Sequence, residues 1–417
     1  MQTSVNQGSL RTQIGSDLLK KIALEYGTPV YVYDKVYIDT QCREFLAAIQ
    51  HRPLTACYAV KANGNISLLR EIFAQGFGAD VVSWGEFARA IKAECAPDKI
   101  VFSGVGKSKD EIGKALEYGL LAFNVESLFE LIHINECARN VNKKAPICLR
   151  INPNIDAKTN PYIATGLYET KFGLAEEVLP QALDLIKKLK HIELIGIACH
   201  IGSQITDLSP LKQAVTRMTK IIAALKSQGL PLSVLDMGGG LGISYGSEEA
   251  PALKDYGAIM TNALTGSEIR LVLEPGRVIA GNGGVLLTRV IGAKATATKR
   301  FVVVDAAMTE LIRPCLYEAF HDLSIIDSES SEGPLVKTDI VGPVCETSDF
   351  LVQNRLLPDL SEGDLLAVHS CGAYAASMGS NYNTRPRPPE VLVSDRSHYK
   401  LIRRRENIVD IWRNEEL

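Results

Sequence analysis

A lysine placed directly after an apolar run is the first feature of the sequence that could do chemistry. Lys61 follows TACYAV (55–60), which has the composition of a buried strand. A desolvated ammonium is costly unless it is paired, so lysine is uncommon at such positions. One explanation is a side chain that lays its stem along the strand end and extends its charge into water. The other is a reactive amine, its pKa lowered by its surroundings, that forms a Schiff base with a carbonyl.

Three other groups of residues that could do chemistry also stand at the ends of apolar runs. His200 ends the run LIGIACH, GGGLGI (238–243) follows SVLDMG, and Glu274 lies with Arg277 in EPGR. Taken singly, they could be a structural histidine, a tight turn, and a capped or solvated carboxylate. Their shared position after predicted strands is the stronger observation, because barrel enzymes carry their chemistry at the carboxyl ends of the strands.

The glycine-rich segment is compatible with a phosphate site but does not match a dinucleotide fold. The dinucleotide fingerprint needs a third glycine at position 243, where this chain has Ile243. Glycines after the seventh strand of a barrel let backbone N–H groups approach an oxyanion, because no Cβ stands in the way. Ser203, in HIGSQ (200–204), could add a hydroxyl donor.

Eight short apolar runs must position these residues, and amphipathic helical patterns separate the runs. The runs are TACYAV (55–60), GADVVS (78–83), KIVFSG (99–104), LLAFNV (120–125), PICLRIN (146–152), LIGIACH (194–200), SVLDMG (233–238) and IRLVLEP (269–275). Helical patterns such as 65–76 and 179–190 lie between them. Strands that are apolar on both faces, each followed by a helix, are typical of parallel β/α units. Eight such units predict a closed (β/α)8 barrel of the TIM type, with an open sheet as the alternative.

The C-terminal third of the chain has a different sequence pattern. Its apolar runs read as strands with little helix between them: GGVLLTRVIGAKAT (283–296), RFVVVDAA (301–308), VKTDIVGPV (336–344) and DLLAVHS (364–370). We therefore predict a barrel domain over 35–277 and an all-β domain over 278–417, joined by an N-terminal segment, 1–34. TPVYVYD (28–34) predicts a strand in that segment, and SIIDSESSEGP (324–334) predicts a polar surface loop.

Composition places the chain among ordinary globular proteins. Of its 417 residues, 46% are hydrophobic and 22% are charged, and the net charge of −3 gives no electrostatic reason to expect nucleic acid or membrane as a partner. The nine cysteines form no C-x-x-C pair, so we expect no metal site and no disulfide framework, and reduced thiols fit a cytoplasmic protein. The first 21 residues hold no apolar stretch of signal-peptide length.

An amine, a flat ring, a phosphate cradle and a carboxylate at one barrel mouth form a coherent set. A cofactor with an aldehyde, a pyridine ring and a phosphate would use all four. Lys61 would hold pyridoxal 5'-phosphate as a Schiff base, and Glu274 would keep the pyridine nitrogen protonated, which makes the ring a strong electron sink. This interpretation assigns Lys61 a catalytic role rather than that of a side chain extended into water.

The motifs resemble those of the pyridoxal phosphate-dependent decarboxylases of the alanine racemase-like fold, and among them the diaminopimelate decarboxylases. The resemblance rests on motifs in the expected order: YAVKAN, HIGSQ, GGGLG, EPGR, CETSD (345–349) and GAYAASMGSNYN (372–383). It extends from EYGTPVYVYD (25–34) to RPPEVLV (387–393). It implies a carboxy-lyase that converts meso-2,6-diaminopimelate to L-lysine and carbon dioxide, the last step of lysine biosynthesis.

The resemblance also implies roles for particular residues. Lys61 would carry the cofactor, His200 would stack on its ring, and the phosphate would lie among residues of several segments: Ser203, Gly240, Gly276, Arg277 and Tyr374. The non-reacting end of the substrate would be held by charged and polar groups, namely Arg277, Arg313, Tyr317, Glu346 and Tyr374. Cys345 would protonate the carbanion after carbon dioxide leaves. Cys345 and Glu346 are expected from a neighbouring subunit, so the resemblance implies a homodimer with shared active sites.

Other activities on the same fold remain as alternatives. An ornithine- or arginine-type decarboxylase needs an acidic group for a distal amine, and Arg313 with Tyr317 disfavours it. An amino-acid racemase uses a second base in place of CETSD, and a non-catalytic regulator should lack the lysine or the cysteine. The sequence departs from the family pattern at Trp84, where a small residue is common, and at Thr347 and Ser348, where a serine–glycine pair is common.

Overall fold

The computed structural model describes residues 13–246, 248–297, 299–327, 334–395 and 397–416. These residues form two units, of which one comprises 41–243 and 250–278. The other comprises 13–40, 244–249 and 279–416, without the few positions outside the described ranges. Within the described residues, no helix is both long and apolar enough to cross a membrane.

The helices are short, apart from one of 19 residues, and most of them follow a strand. They are α1 (Ser16–Tyr26), α2 (Lys35–Ala48), α3 (Ile66–Ala74), α4 (Trp84–Lys92), α5 (Lys109–Tyr118), α6 (Leu128–Asn140), α7 (Leu179–Ile186), α8 (Ser209–Ser227), α9 (Leu253–Ala263), α10 (Arg277–Ala280), α11 (Arg313–Tyr317) and α12 (Ile408–Trp412). Serine side chains begin several of them: Ser83, Ser108 and Ser127 each accept a backbone N–H of the first turn.

The strands divide into a parallel set and a mixed set. They are β1 (Val30–Asp34), β2 (Leu54–Ala59), β3 (Gly78–Val81), β4 (Ile100–Phe102), β5 (Ala122–Val125), β6 (Ala145–Asn152), β7 (Leu174–Ala175), β8 (Ile192–Ala198), β9 (Val234–Asp236), β10 (Arg270–Leu273), β11 (Gly284–Ala295), β12 (Arg300–Val304), β13 (Leu323–Asp327), β14 (Val336–Val341), β15 (Phe350–Leu357), β16 (Leu365–Val368), β17 (Glu390–Val393) and β18 (Tyr399–Arg403).

Eight parallel strands of the first unit close on themselves. Their order is β2-β3-β4-β5-β6-β8-β9-β10, and β10 pairs with β2 to complete the ring. The eight predicted apolar runs all supply these strands, so the prediction of a closed (β/α)8 barrel is confirmed. The helical patterns at 65–76 and 179–190 are confirmed as α3 and α7, with each helix shorter than its pattern.

One apolar layer sits across the inside of the barrel. Seven of the eight strands each contribute one buried residue to it: Cys57, Val101, Ala122, Cys148, Ala198, Val234 and Val272. Strands on opposite sides of a closed barrel can bring side chains together only in its interior. Because side chains alternate along a strand, the residue two positions further on points to the same interior, towards the carboxyl end.

The second unit is a mixed sheet with the order β15-β14-β12-β11-β1-β17-β18, and β16 pairs with both β11 and β13. The N-terminal strand β1 lies inside it, antiparallel to β11 and parallel to β17. Helix α1 packs Leu19, Ile22 and Ala23 against Val285 and Leu287 of this sheet.

Sequence reasoning found β1, β11, β12, β14 and β16 but missed four strands of the second unit. The prediction of a surface loop at 324–334 is wrong for its first part, where β13 pairs with β16, and 328–333 lie outside the described residues. The sequence of β13, LSIID, has only three apolar residues, shows no period-2 alternation and stands directly before a Ser- and Glu-rich tract. β15 was missed because Gln353 and Asn354 interrupt it, and Asn354 has a positive φ of 57°. β17 and β18 follow a proline-rich segment that reads as loop.

Candidate active site

Lys61 lies just beyond β2, in a single 3-10 turn over Val60–Ala62. Its Nζ donates to Oδ2 of Asp80 at 2.7 Å, and Asp80 lies in β3, whose register places it opposite Ala59. The Lys61 side chain is 35% exposed whereas that of Asp80 is fully buried. The amine therefore stands at the carboxyl end of the barrel beside a carboxylate, rather than in an apolar environment.

Two more carboxylates lie in the interior, each two residues beyond the apolar layer. Asp236 follows Val234 in β9, and Glu274 follows Val272 of β10. The side-chain amide of Asn124 joins them, because its Nδ2 donates to Asp236 Oδ2 at 2.9 Å and to Glu274 Oε1 at 3.3 Å. Asn124 itself stands two residues beyond Ala122, the β5 member of the apolar layer.

Burial of these carboxylates favours their protonated forms. Burial raises the pKa of Asp236 to about 6, and the negative charge of Asp80 adds to the rise. Burial, followed by the charges of Asp236 and Asp80, raises the pKa of Glu274 well above its usual range, against a smaller opposing effect of Lys61. Like charges at short range cannot all remain ionised in a desolvated site. Burial and these neighbouring charges therefore favour the protonated form of Glu274, which is hydrogen-bonded to Asp236.

His200 presents a neutral imidazole two residues after β8. Its Nδ1 is 3.2 Å from the backbone nitrogen of Gly239, which donates to it, so the ring proton is on Nε2. Desolvation lowers the pKa of His200 well below its ordinary value, and the positive charges of Arg150 and Lys61 lower it further. An uncharged flat ring at this position is suited to stacking on another ring.

The glycine-rich segment packs against two neighbouring loops at distances that leave no room for a side chain. A Cβ on Gly239 would lie 2.0 Å from the carbonyl oxygen of Glu274, and one on Gly240 would lie 2.3 Å from that of Gly202. Gly240 also has a φ of +105°, which L-residues with side chains rarely adopt. The loops after β8, β9 and β10 therefore meet through bare backbone, as the sequence analysis expects of an anion cradle.

Ser203 and Arg277 meet beside this cradle. Arg277 Nη2 donates to Ser203 Oγ at 2.9 Å, and the Arg277 residue is buried. Gly276, just before it, would bring a Cβ to 3.0 Å from the Cβ of Ala59. A guanidinium, a hydroxyl and close-packed glycine backbone form a set of donors that suits a phosphate.

Sequence reasoning missed several polar residues of the barrel interior. Asp80, Ser103, Asn124, Arg150 and Asp236 stand at or near the carboxyl ends of their strands. All but Asp80 follow a member of the apolar layer by two positions, and that spacing is the signal that could have revealed them.

A second missed group is a pair of buried ion pairs under the loops that follow β4, β5 and β6. Lys107 Nζ lies 2.6 Å from Glu130 Oε1, and Arg150 Nη1 lies 2.8 Å from Glu126 Oε1. Glu126 also accepts the backbone N–H groups of Gly104 and Gly173, so one carboxylate fixes two loops. These charges position loops and, through Arg150, help to keep His200 neutral.

The remaining predicted site residues lie in the second unit. Arg313 is buried, and its Nη1 is 2.7 Å from His321 Nε2. Cys345 and Glu346 are exposed on a loop where the Cys345 backbone nitrogen donates to Asn383 Oδ1 at 2.9 Å. Tyr317 and Tyr374 are half-buried.

The two departures from the family pattern have structural consequences. Ser348 Oγ donates to Glu346 Oε1 at 2.6 Å, so it orients that carboxylate. Trp84 stacks on Phe87 with ring centroids 5.4 Å apart and also contacts Tyr118, so its ring packs between α4 and α5.

The donor groups of the barrel mouth fit a ligand that carries an aldehyde, a basic aromatic ring and a phosphate. Lys61 offers an amine, His200 a neutral stacking surface, Glu274 a buried acid, and the cradle backbone, with Arg277, an anion site. The buried Asp80 Oδ1 has no hydrogen-bond partner among the described residues and is available as an acceptor. The chemistry of these side chains and of the glycine backbone is thus complementary to all three parts of such a ligand.

Comparison with known proteins gives the same picture. Residues 36–281 match the family model described as pyridoxal-dependent decarboxylase, pyridoxal binding domain. The chain is 45% identical to a diaminopimelate decarboxylase of Pseudomonas aeruginosa over 96% of this chain and 95% of the relative. It is 46% identical to the diaminopimelate decarboxylase of Vibrio cholerae, over 94% of each chain. The crystal structure of the Helicobacter pylori diaminopimelate decarboxylase complexed with L-lysine aligns with a TM-score of 0.91 at 43% identity, covering 95% of this chain and 99% of that one.

The raised pKa of Asp236 makes a testable contribution to stability. An acid whose pKa is raised on folding stabilises the fold at low pH, and that contribution is lost as the pH rises towards about 6. The native protein, compared with an Asp236→Asn variant, should therefore lose about 2 kcal/mol of unfolding free energy between pH 4 and pH 7. Urea unfolding at a series of pH values measures this difference.

The matched control is Asp184→Asn, on the exposed surface of α7. A hydrogen bond from Lys187 lowers the pKa of Asp184, so this pair should show a small difference of the opposite sign. A native-minus-Asp236→Asn difference that stays constant with pH would show that the pKa of Asp236 is not raised.

Proposed function

The chain belongs to the pyridoxal-dependent decarboxylases and, among them, to the diaminopimelate decarboxylases, and we propose that the residues described above perform this family's reaction. It is a carboxy-lyase that uses pyridoxal 5'-phosphate to convert meso-2,6-diaminopimelate to L-lysine and carbon dioxide, the lysine-forming step of lysine biosynthesis. The structural observation that carries the proposal is the amine of Lys61, placed beside Asp80 at the same barrel mouth as the buried acid Glu274.

The cofactor would be held by residues of complementary chemistry. Lys61 would be its covalent anchor, Glu274 would face its ring nitrogen, and His200 would stack on its ring. Its phosphate would be bound by Ser203, Gly240, Gly276, Arg277 and Tyr374. When bound, pyridoxal phosphate supplies an electron sink that accepts the electron pair left behind by departing carbon dioxide.

Glu274 acts as a proton store for this chemistry. Its raised pKa favours the protonated form, and that proton can be shared with a basic nitrogen placed against it. The carboxylate that results would keep the hydrogen bonds from Asn124 and Ser103, at 3.3 and 3.4 Å. Asp236 accepts hydrogen bonds from Asn124 and from the backbone N–H of Gly238, and these donors stabilise the negative charge of Asp236 itself.

Asp80 would accept the proton that Lys61 must lose. The ammonium must lose a proton before it can act as a nucleophile. Asp80 Oδ2 already accepts a hydrogen bond from Nζ at 2.7 Å and is placed to hold that proton. Its second oxygen, Oδ1, is buried.

Selection of the substrate depends on its non-reacting end, because any α-amino acid can present the reacting end. Arg277, Arg313 and Tyr317 would bind the distal carboxylate, where a guanidinium offers a two-pronged fork. Glu346 would bind the distal ammonium, and Tyr374 would complete the pocket. An ornithine- or arginine-type decarboxylase has no use for these cations at the distal end.

We extend the proposal to assembly and location. A homodimer would let the partner supply Cys345 and Glu346, with Cys345 returning a proton to the carbanion. The exposure of both residues in the single chain supports this arrangement. A cytoplasmic location is supported by the nine cysteines, all of which are free thiols.

Lys61 is expected to be the residue that carries the cofactor. Borohydride reduction of the protein after incubation with pyridoxal phosphate should fix the label to the peptide that contains Lys61, as read by mass spectrometry. Lys107, a buried lysine of the same unit, is paired with Glu130 and should remain unlabelled. A label on Lys107, or on no lysine, would contradict the assignment.

Replacement of Arg313 by alanine should reduce activity on diaminopimelate at least about 100-fold, equivalent to about 3 kcal/mol of transition-state binding, because a buried carboxylate would lose its partner. Steady-state kinetics on diaminopimelate, lysine, ornithine and arginine should show activity on the first alone, since sites built around a polar group reject analogues without it by about 10⁴-fold. Arg300→Ala, which removes a guanidinium bonded to Leu357 and Pro358, is the matched control. Comparable efficiency on ornithine would overturn the substrate assignment.

A shared active site predicts complementation between two inactive chains. Lys61→Ala and Cys345→Ala homodimers should each be inactive, whereas their mixture, after subunit exchange, should recover up to about a quarter of native activity, because one hybrid site is intact in half of the dimers. Activity assays before and after exchange measure the recovery. Inactivity of mixed dimers whose formation has been verified by mass would rule out sharing.

A further inference from the structure

His321 connects Arg313 to the backbone of the second unit. It follows α11 by four residues and is 1% exposed. Its Nε2 lies 2.7 Å from Arg313 Nη1, and its Nδ1 lies 2.8 Å from the carbonyl oxygen of His369, just beyond β16. One imidazole therefore bridges an arginine that the proposed function places at the substrate and a residue at the end of a core strand.

The chemistry of the two partners determines the protonation of the ring. A carbonyl oxygen can only accept, so Nδ1 must carry hydrogen and donate to His369. A guanidinium can only donate, so Nε2 must be a bare acceptor for Arg313. His321 is thus a neutral imidazole in one specified tautomer. Both nitrogens are used, and the plane of the ring directs Arg313.

Tyr245 supports the same guanidinium from a second direction. The Arg313 Cζ lies 4.2 Å from the centroid of the Tyr245 ring, and that ring meets His321 edge-on at 5.1 Å. One face of the guanidinium therefore rests on an aromatic ring while one of its five N–H groups is bound by His321. Together these contacts fix the plane of the Arg313 guanidinium and its rotation within that plane.

The surroundings of His321 are otherwise suited to keep it in place. Arg355 Nη2 donates to the His321 carbonyl oxygen at 2.8 Å, and the Cys371 Sγ lies 3.9 Å from Nδ1. Burial raises the pKa of the Cys371 thiol to about 12, so this neighbour is uncharged.

We propose that His321 is a positioning residue that holds Arg313 ready for the distal carboxylate of the substrate and so sets the selectivity for ligands that carry this carboxylate. The inference rests on the proposed function, in which Arg313 binds that group. A planar two-pronged contact is sensitive to orientation, and small misplacements in binding groups can cost about 100-fold. A merely structural histidine would affect all ligands of the site alike.

L-lysine and cadaverine separate these possibilities. Both are diamines with the same chain length, and only lysine has the carboxylate that remains at the non-reacting end after decarboxylation. Their inhibition constants against the cofactor-loaded enzyme therefore report how well the carboxylate is bound. The native enzyme should bind L-lysine more tightly than cadaverine.

Two substitutions at one position isolate the bond to Arg313. In His321→Asn the side-chain amide can still donate to the His369 carbonyl but cannot reach Arg313, whereas in His321→Gln the amide oxygen can accept from Arg313. His321→Asn should weaken L-lysine binding by about 10- to 100-fold and change cadaverine binding by less than about threefold. His321→Gln should recover most of the native ratio. His321→Leu, which lacks both nitrogens, should show the same loss as His321→Asn and replaces it if the latter does not fold.

Controls separate a failure of this inference from a failure of the proposed function. His51→Asn alters a buried histidine of the barrel unit, whose Nε2 lies 2.7 Å from the Ile269 carbonyl oxygen, and should leave the lysine-to-cadaverine ratio unchanged. Arg313→Ala should abolish the preference for lysine, and adding His321→Asn to it should have no further effect. If Arg313→Ala changes the ratio and His321→Asn does not, the inference is wrong. If neither changes it, Arg313 does not bind the carboxylate and the proposed substrate site is wrong.

Discussion

The two-residue repeat of the β-strand is the constraint on which the barrel site depends. Seven strands contribute one side chain each to a single apolar layer, and the next residue on the same face stands one level higher. At that level are Ser103, Asn124, Arg150, His200, Asp236 and Glu274. A shift of one residue in any strand would turn its polar side chain out of the barrel. The packing of Val234 and Val272 thus determines where Asp236 and Glu274 stand.

The polar residues above the apolar layer differ in charge between the two sides of the barrel mouth. On one side, the carboxyl groups of Asp80, Asp236 and Glu274 lie together in a desolvated region, and the raised pKa values of Asp236 and Glu274 are the response to it. On the other, Arg277 and Ser203 adjoin the bare backbone of the glycine segment. A ligand with a basic nitrogen at one end and a phosphate at the other matches this arrangement, with its nitrogen towards the carboxyl groups and its phosphate towards Arg277 and Ser203. The neutral ring of His200 adds an uncharged contact, so it favours neither end electrostatically.

Most of the fold and the cofactor class could be predicted from the sequence, because both depend on local signals. Lys61 and Glu274 stand out since charged residues interrupt apolar runs at strand ends. Asp80 and Asn124 do not stand out, because a single polar residue inside a short buried strand resembles an ordinary strand residue until the interior is closed. The contacts of Arg150 required the fold as well: its partner, Glu126, is 24 positions away and follows a different strand. Sequence pattern and spacing could not predict interactions between residues that are far apart in the chain.

The same distinction applies to recognition in the second unit. The family resemblance implies a carboxylate-binding arginine at position 313, but a guanidinium on a flexible stem has little selectivity until its plane is held. His321 can hold it only as a neutral ring, because its other nitrogen must donate to the His369 carbonyl. A lysine or an arginine at position 321 could only donate hydrogen bonds, as Arg313 does. The two positive groups would therefore repel each other, and neither would have a hydrogen-bond acceptor. Orientation at this site therefore depends on an uncharged hydrogen-bond acceptor. The full positive charge of Arg313 is therefore kept, as the proposed binding of a substrate carboxylate requires, whereas a carboxylate in the place of His321 would have neutralised it.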